Sequence, residues 1–384
     1  MPITGFAARI HKNYEGSVFD LLSETTADAL TMANISSKQV DGLITTFLPG
    51  VFDGYAHSHF FTNQLRQYLG LRARHVEILD FGGPSVLAMI YRAEKAIKAG
   101  EASTVLCIAG GKGSHLRKKG VTVDSIDRVY PDVSLTPFDS LFRLYPDLNP
   151  VSDYALVAKR HSKLFGTSDE DRAKIAVQQR FNAKHNDGAL YRDELTVEDV
   201  LNSPLVSDPL HLLEIVYPVD GFHAFIVSDR PSQLAEVKIL GYGEAHWEEM
   251  PTELPDIIQT PATESARLAA FDPGRADVLE LYDSFTITVM LQLEDIGLAK
   301  KGSVGRFLET RDLTFKGDTP VNTGGGSLNC GQPAFMSGGV ILHEALLQLN
   351  DMAKGHQVGG AKSAFINGIG GWNRSHSVTL VLGR

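Results

Sequence analysis

Residues 75–111 read HVEILDFGGPSVLAMIYRAEKAIKAGEASTVLCIAGG. HVEILD (75–80) predicts a strand, FGGPS (81–85) a tight turn, and Val86 to about Ala99 a helix capped by Ser85 and stopped by Gly100. STVLCIAGG (103–111) is a second strand, apolar throughout and ending in glycines. Strand, helix and strand over about 35 residues make a βαβ unit, and strands this apolar suit a parallel sheet covered on both faces.

The same rhythm extends outward. DLLSETTADALTM (20–32) has helical spacing and VDGLITTFL (40–48) reads as a strand. Residues 112 to about 205 interrupt the pattern: they are rich in charge and proline, with two amphipathic helices near 152–166 and 171–185. The simplest reading is an insertion carried on a first α/β half of residues 1–235. GFHAFIVSD (221–229) closes that half with a strand. A second half, 236–384, repeats the outline. DVLELYD (277–283) is a strand and SFTITVMLQLEDIG (284–297) a helix, then a glycine loop NTGGGSLNCGQP (322–333) precedes a helix from about Ser337 to Leu349. KSAFINGIGG (362–371) and SVTLVLG (377–383) are apolar runs joined by a short turn.

Composition narrows the function classes. The 384 residues carry 36 Lys+Arg and 46 Asp+Glu, a formal charge of −10, which disfavours a general nucleic-acid binder. Hydrophobic residues at 43% and charged residues at 21% argue for a packed globular chain over a disordered one. Two cysteines without a CxxC motif exclude a disulfide scaffold or a cysteine-rich zinc site and fit a reducing, cytoplasmic setting. MPITGFAARI lacks the features of a secretory signal, and no window offers 18 apolar residues to span a membrane. The expectation is an enzyme-sized intracellular protein without a resident metal or cofactor.

The glycine loop is the most specific local signal. Asn322, Gly324, Gly325, Gly326 and Gly331 mark a backbone that bends tightly and approaches something closely. It ends at a helix whose amides would suit a carbonyl oxygen or phosphate, yet it lacks the P-loop and Rossmann spacings. The motifs here resemble the thiolase superfamily, in the branch like the sterol carrier protein X thiolase domain. LELYDSFTITVMLQLEDIGLAKKG (279–302) is similar to that branch's strand–helix motif, where His-Asp-Cys-Phe usually stands at Tyr282–Phe285. VNTGGGSLNCGQPAFMSGG (321–339) resembles its Asn-Thr-x-Gly-Gly loop and Gly-His-Pro motif, INGIGG (366–371) its C-terminal glycine turn, and 195–221 the close of its loop domain. The resemblance implies a duplicated five-layer αβαβα fold, two mixed five-stranded sheets with an inserted loop domain, and a homodimer.

The departures from that family are informative. Its nucleophilic cysteine sits where a strand turns into a buried helix, and the position most nearly aligned here is Gly83. Cys107 lies inside an apolar strand; Cys330, in the glycine loop, is the one remaining thiol candidate. The family histidine of Gly-His-Pro is Gln332, which is no base, and a family glycine is Phe335. Tyr282 replaces the histidine of His-Asp-Cys-Phe: it could take a substrate hydroxyl proton or fill a pocket wall. Asp283 keeps the family aspartate and would orient backbone or a neighbour. His223 could reach the site or pack within its strand, and Trp372 could line the acyl pocket or lie in a surface loop. His57 and His59 form an HxH pair, a metal edge or more simply part of a solvated loop, and the basic run 117–119 could meet coenzyme A phosphates or equally be solvated.

Without the family's nucleophilic cysteine, the pattern resembles thiolase-like aldolases of steroid side-chain degradation. These work on acyl-CoA with a small partner carrying an OB-fold and a zinc ribbon. The resemblance therefore implies an aldol lyase on a β-hydroxyacyl-CoA. Tyr282, Asp283 and His223 would be its catalytic set, with Gly83, Asn322, Gly325, Gly326, Gln332, Gly371 and Trp372 around the substrate. The alternatives are a non-catalytic subunit scaffolding an acyl-transferring complex, and thiolysis through Cys330.

Overall fold

The structure, a computed structural model, describes residues 3–46, 48, 60–114, 150–248, 256–334 and 337–384. His57, His59, the 117–119 run and Phe335 lie outside the described residues, as does much of the first part of the expected insertion.

In chain order the elements are β1 (Ile3–His11), α1 (Val18–Met32), β2 (Gly42–Thr45), α2 (Phe61–Tyr68), β3 (His75–Ile78), α3 (Ser85–Lys98) and β4 (Thr104–Lys112). Then come α4 (Pro150–Phe165), α5 (Asp169–Lys184), α6 (Val197–Asn202), β5 (Leu205–Ser207), β6 (Leu210–His211) and β7 (Pro218–Ser228). The remainder comprises β8 (Lys238–His246), α7 (Ala262–Ala269), β9 (Val278–Leu281), α8 (Thr286–Asp295), α9 (Val304–Thr310) and α10 (Gly326–Cys330). It ends with β10 (Gln332–Pro333), α11 (Ser337–Leu349), β11 (Ser363–Gly370) and β12 (His376–Gly383).

One sheet runs β1-β7-β4-β2-β3, with β10 added to the start of β7, and a second runs β8-β12-β11-β9. The directions match between them: β1 and β7, β7 and β4 are antiparallel while β4 and β2 are parallel, as β8 and β12, β12 and β11 are antiparallel while β11 and β9 are parallel. The second sheet differs from the expected five strands. Beside β9, Val321 makes a single bridge to Leu279, because the chain turns into the glycine loop immediately afterwards.

Five layers follow from which faces are apolar. α11 is apolar around most of its circumference, and α3 is apolar through Val86–Ile90 before charged residues Arg92, Lys95 and Lys98 appear on one side, so both bury large apolar surfaces. They pack together between the sheets, α3 on β4, β7 and β12, and α11 on β9, β11, β1 and β7. α1 covers the outer face of the first sheet and α7 that of the second. The β4 strand is consequently buried on both faces: Cys107 joins the inner core, Leu106 and Ile108 the outer one. Ser85 is not the cap of α3. It is the first helical residue, and its hydroxyl turns back to accept from Phe81 N (2.8 Å) and donate to Gly82 O (2.7 Å), which fixes the turn.

Helix α5 is fastened by a buried ion pair that a hydrogen bond links on to the second half. Arg172 of α5 is 1% exposed and donates through Nε to Glu214 (2.9 Å) and through Nη2 to Pro209 O (2.9 Å). Glu214 in turn accepts from Thr286 at the start of α8 (2.9 Å). Removing one partner of a buried pair strands the other's charge. Arg172→Met should therefore cost about 3–5 kcal/mol, measured as a lower denaturation midpoint with an unchanged slope.

Candidate functional site

The turn between β3 and α3 faces three other segments at contacts that leave no room for side chains. A Cβ on Gly83 would collide with the ring of Tyr282, 2.1 Å from Cε2, 2.6 Å from Cζ and 2.8 Å from Oη. A Cβ on Gly338, in the first turn of α11, would collide with the Gly83 carbonyl oxygen, and one on Gly370 would lie 2.5 Å from Pro84 Cδ. Gly371 N is 3.1 Å from where Gly82 would carry its Cβ. The 81–84 turn, Tyr282, the start of α11 and the 370–371 turn thus meet at one point. A side chain on residue 83 and the ring of Tyr282 exclude each other.

Tyr282 lies just past β9, whose strand ends earlier than the sequence suggests, at Leu281. Its backbone is clamped: its N–H donates to Asn367 O (3.0 Å) and Gln292 Oε1 (3.2 Å), and its carbonyl accepts from Gln292 Nε2 (2.6 Å). The residue is 6% exposed, so the phenol is held in the interior.

Asp283 is fully buried and points to the glycine loop. Its carboxylate accepts from Ser327 N (2.9 Å), Leu328 N (3.0 Å) and Gln179 Nε2 (3.1 Å), and so caps α10. Burial pushes its pKa up to about 6 against those donors. Asn322, at φ +48°, accepts from Leu281 N (2.7 Å) and ties the loop to β9. Gly325, at φ +101°, presses on Ala183 of α5, and Gly326, at φ +63°, on Asp283. The close approach these glycines permit is therefore to the protein's own helix and carboxylate. Gln332 donates from Nε2 to Ala334 O (3.1 Å). Gly371, at φ +75°, adjoins Gly82, while the side chain of Trp372 lies outside the described residues.

His223 sits elsewhere. It is buried in β7 against Gly339, stacked near Phe225, and burial holds it neutral, well below the usual histidine range. With Glu280, Cys330, His343, Glu344 and the loop glycines Gly324 and Gly326 it lines a cavity of about 390 Å³ whose lining includes neither Gly83 nor Tyr282. The carboxyl pair in that cavity was not read from the sequence, although a lone glutamate inside the apolar strand DVLELYD was its signal. The Thr323 hydroxyl lies 2.8 Å from both Glu280 and Glu344, and His356 pairs with Glu344 (3.2 Å). Burial and the Glu344 charge raise Glu280 well above the carboxylate range, while His356 holds Glu344 below it despite burial. Among the described residues, no group of three or more His, Cys, Asp or Glu could hold a metal ion.

Neither cysteine is a ready nucleophile. Burial pushes both thiols far above their ordinary range, with Glu77 adding to the effect at Cys107 and Glu344, Asp283 and Glu280 at Cys330. Among the described residues no helix is long and apolar enough to cross a membrane.

Known proteins bear out the resemblance. A family model described as "Thiolase C-terminal domain-like" matches residues 243–384. An acetyl-CoA acetyltransferase of Methanothermobacter thermautotrophicus is 29% identical over 365 residues, 92% of this chain and 93% of the relative. A steroid side-chain-cleaving aldolase of Thermomonospora curvata is 27% identical over 347 residues, 84% of this chain and 83% of that protein. The solved "Ltp2-ChsH2(DUF35) aldolase" superposes with a TM-score of 0.82 at 23% identity, covering 100% of this chain and 97% of that one. The fold is thiolase-like, and the chain is similar to acyl-transferring and aldolase relatives alike.

Two outcomes follow from the site's packing. Gly83→Ala should destabilise by about 1–3 kcal/mol through overpacking, and by much less in a Tyr282→Ala background, a coupling that a double-mutant cycle of thermal midpoints reads directly. Asp283 binds its proton more tightly folded than unfolded, so its contribution to stability is full below about pH 4 and is lost as pH rises through about 6. Stability curves of the native chain and Asp283→Asn should differ in slope across that window.

Proposed function

We propose that this chain is an aldol lyase. It cleaves the Cα–Cβ bond of a β-hydroxyacyl-CoA, of steroid side-chain or similarly bulky type, to a ketone or aldehyde and a shorter acyl-CoA. The observation that carries this reading is the Tyr282 ring in the volume that a side chain on residue 83 would need. Thiolysis requires a thiolate to hold the acyl fragment between steps. With that volume taken and both thiols buried, the route has no nucleophile among the described residues.

Retro-aldol cleavage needs none. With Tyr282 ionised, the β-hydroxyl proton passes to its phenolate oxygen, and the Cα–Cβ electron pair moves into a thioester enolate. The hydroxyl-bearing carbon leaves as a carbonyl. Protonation of the enolate at Cα completes the shorter acyl-CoA, and no free CoA is consumed. Donors aimed at the enolate oxygen would supply about 3–4 kcal/mol each. In this reading Asp283, Asn322, Gly325 and Gly326 hold the 322–333 loop as the thioester pocket, with Gly83, Gln332, Gly371 and Trp372 as its walls. His223 shares a cavity with Gly324 and Gly326 that Tyr282 does not line, and takes no step in this reading.

Support for the reaction class comes from relatives named as a side-chain-cleaving aldolase and as 17-hydroxy-3-oxo-4-pregnene-20-carboxyl-CoA lyase. The solved aldolase is named for two components, Ltp2 and ChsH2, and a small OB-fold and zinc-ribbon partner belongs to this proposal. So does a cytoplasmic homodimer: β3 is a sheet edge with Val76 and Ile78 38% and 46% exposed, the kind of strand that pairs with a second copy.

The test assays cleavage by the purified chain, alone and with such a partner. Proton transfer by a positioned side chain is worth about 10²–10⁴-fold, so Tyr282→Phe should lower kcat by at least about 100-fold with KM little changed. Unchanged turnover would remove Tyr282 from the mechanism. Activity confined to mixtures with a cysteine-bearing thiolase subunit would make the chain a scaffold instead.

A further inference from the structure

Directly after the Gly370–Gly371 turn, the chain makes a tight 3-10 turn, Trp372–Arg374, with Asn373 and Arg374 both in the left-handed region (φ +51° and +61°). Arg374 is 1% exposed. Its Nη1 donates to Asp153 in the first turn of α4 (2.5 Å), and its guanidinium lies 5.0 Å from the ring centre of Tyr154, which stacks on Phe285 (4.1 Å). Among the described residues its Nε and Nη2 have no hydrogen-bond partner. Nor does the hydroxyl of the next residue, Ser375, which is fully buried and would lie 2.5 Å from a Cβ on Gly371.

A buried cation with donors left open is costly, and the interior ordinarily satisfies them. Asp153 and the neighbouring Tyr154 side chain answer the charge, with Asp153 on the Nη1 end, while Nε and Nη2 stay open. The Nε–H and the neighbouring Nη2–H leave the guanidinium in parallel from one edge, the two-pronged arrangement that fits both oxygens of a carboxylate. This open edge lies in a segment bounded by the site itself. Gly371 abuts Gly82 on one side, and Phe285, three residues from Tyr282, supports Tyr154 on the other.

We propose that Arg374, with Ser375 beside it, binds a carboxylate carried by the acyl group, so that the preferred substrates are acyl-CoAs whose acyl part is itself an acid. This rests on the reading that the substrate is an acyl-CoA. The coenzyme's own phosphates offer similar anionic chemistry, and a purely mechanical role, pinning α4 to the turn, would need no ligand.

Succinyl-CoA and butyryl-CoA separate these cases, because they share the coenzyme and the four-carbon chain and differ in the terminal carboxylate. Calorimetric titration of the full-length chain should give a Kd for succinyl-CoA at least tenfold below that for butyryl-CoA. Arg374→Lys keeps a charge opposite Asp153 without the two-pronged edge; it should bring the two Kd values within about twofold while the thermal midpoint reports that the fold is retained. Equal affinities in the native chain would overturn the proposal in favour of a phosphate contact or a clamp, whether or not the variant folds. A preference that survives Arg374→Lys would overturn it too. Binding is read without turnover, so a failure of the lyase reading would leave this result intact and separately visible.

Discussion

A single volume in this molecule can hold either a side chain on residue 83 or the ring of residue 282, and the ring has it. Much else is arranged around that choice. Residue 83 must be glycine, the phenol must stay where Gln292 and Asn367 clamp its backbone, and α11 can begin directly over the Gly83 carbonyl because residue 338 is also glycine. Interiors are packed closely enough that such a contact cannot be relaxed by a small shift. A nucleophile at this turn and a tyrosine at this strand end are therefore alternative chemistries, not additive ones.

The supporting residues are charged groups taken out of water and given backbone to hold. Asp283 spends its acceptors on the first amides of α10, and Arg172 ties α5 to Glu214 and thence to α8. Each is expensive to bury alone and each is satisfied by several donors or acceptors, so the glycine loop and the inserted helices are registered against the second sheet by electrostatics as well as by apolar area. Arg374 breaks that pattern, since part of its hydrogen-bonding capacity stays open beside the site.

Local patterns in the chain were legible where the physics is local. The βαβ unit at 75–111, the helices at 150–165 and 169–184, and the β11–β12 pair follow from apolar runs, helical spacing and glycine stops. Ser85 was misread because its hydroxyl found Gly82 O in the turn behind it, an option that spacing cannot rank against a cap. The fifth strand of the second sheet shrank to one bridge at Val321 because the glycine loop begins there. Long-range partners escaped altogether. That Gly325 touches Ala183, that His223 faces Gly339 instead of Tyr282, and that Glu280 shares Thr323 with Glu344 depend on segments 21 to 142 positions apart meeting in space.

The most direct measurement is the stoichiometry of cleavage. A β-hydroxyacyl-CoA incubated with the chain and its small partner should release one carbonyl product and one shorter acyl-CoA per substrate consumed, with free CoA neither required nor used and no acyl group retained on Cys330 by intact-mass analysis. Cleavage that depends on added CoA, with an acyl adduct on a cysteine, would contradict the replacement of nucleophile by tyrosine on which the mechanism stands.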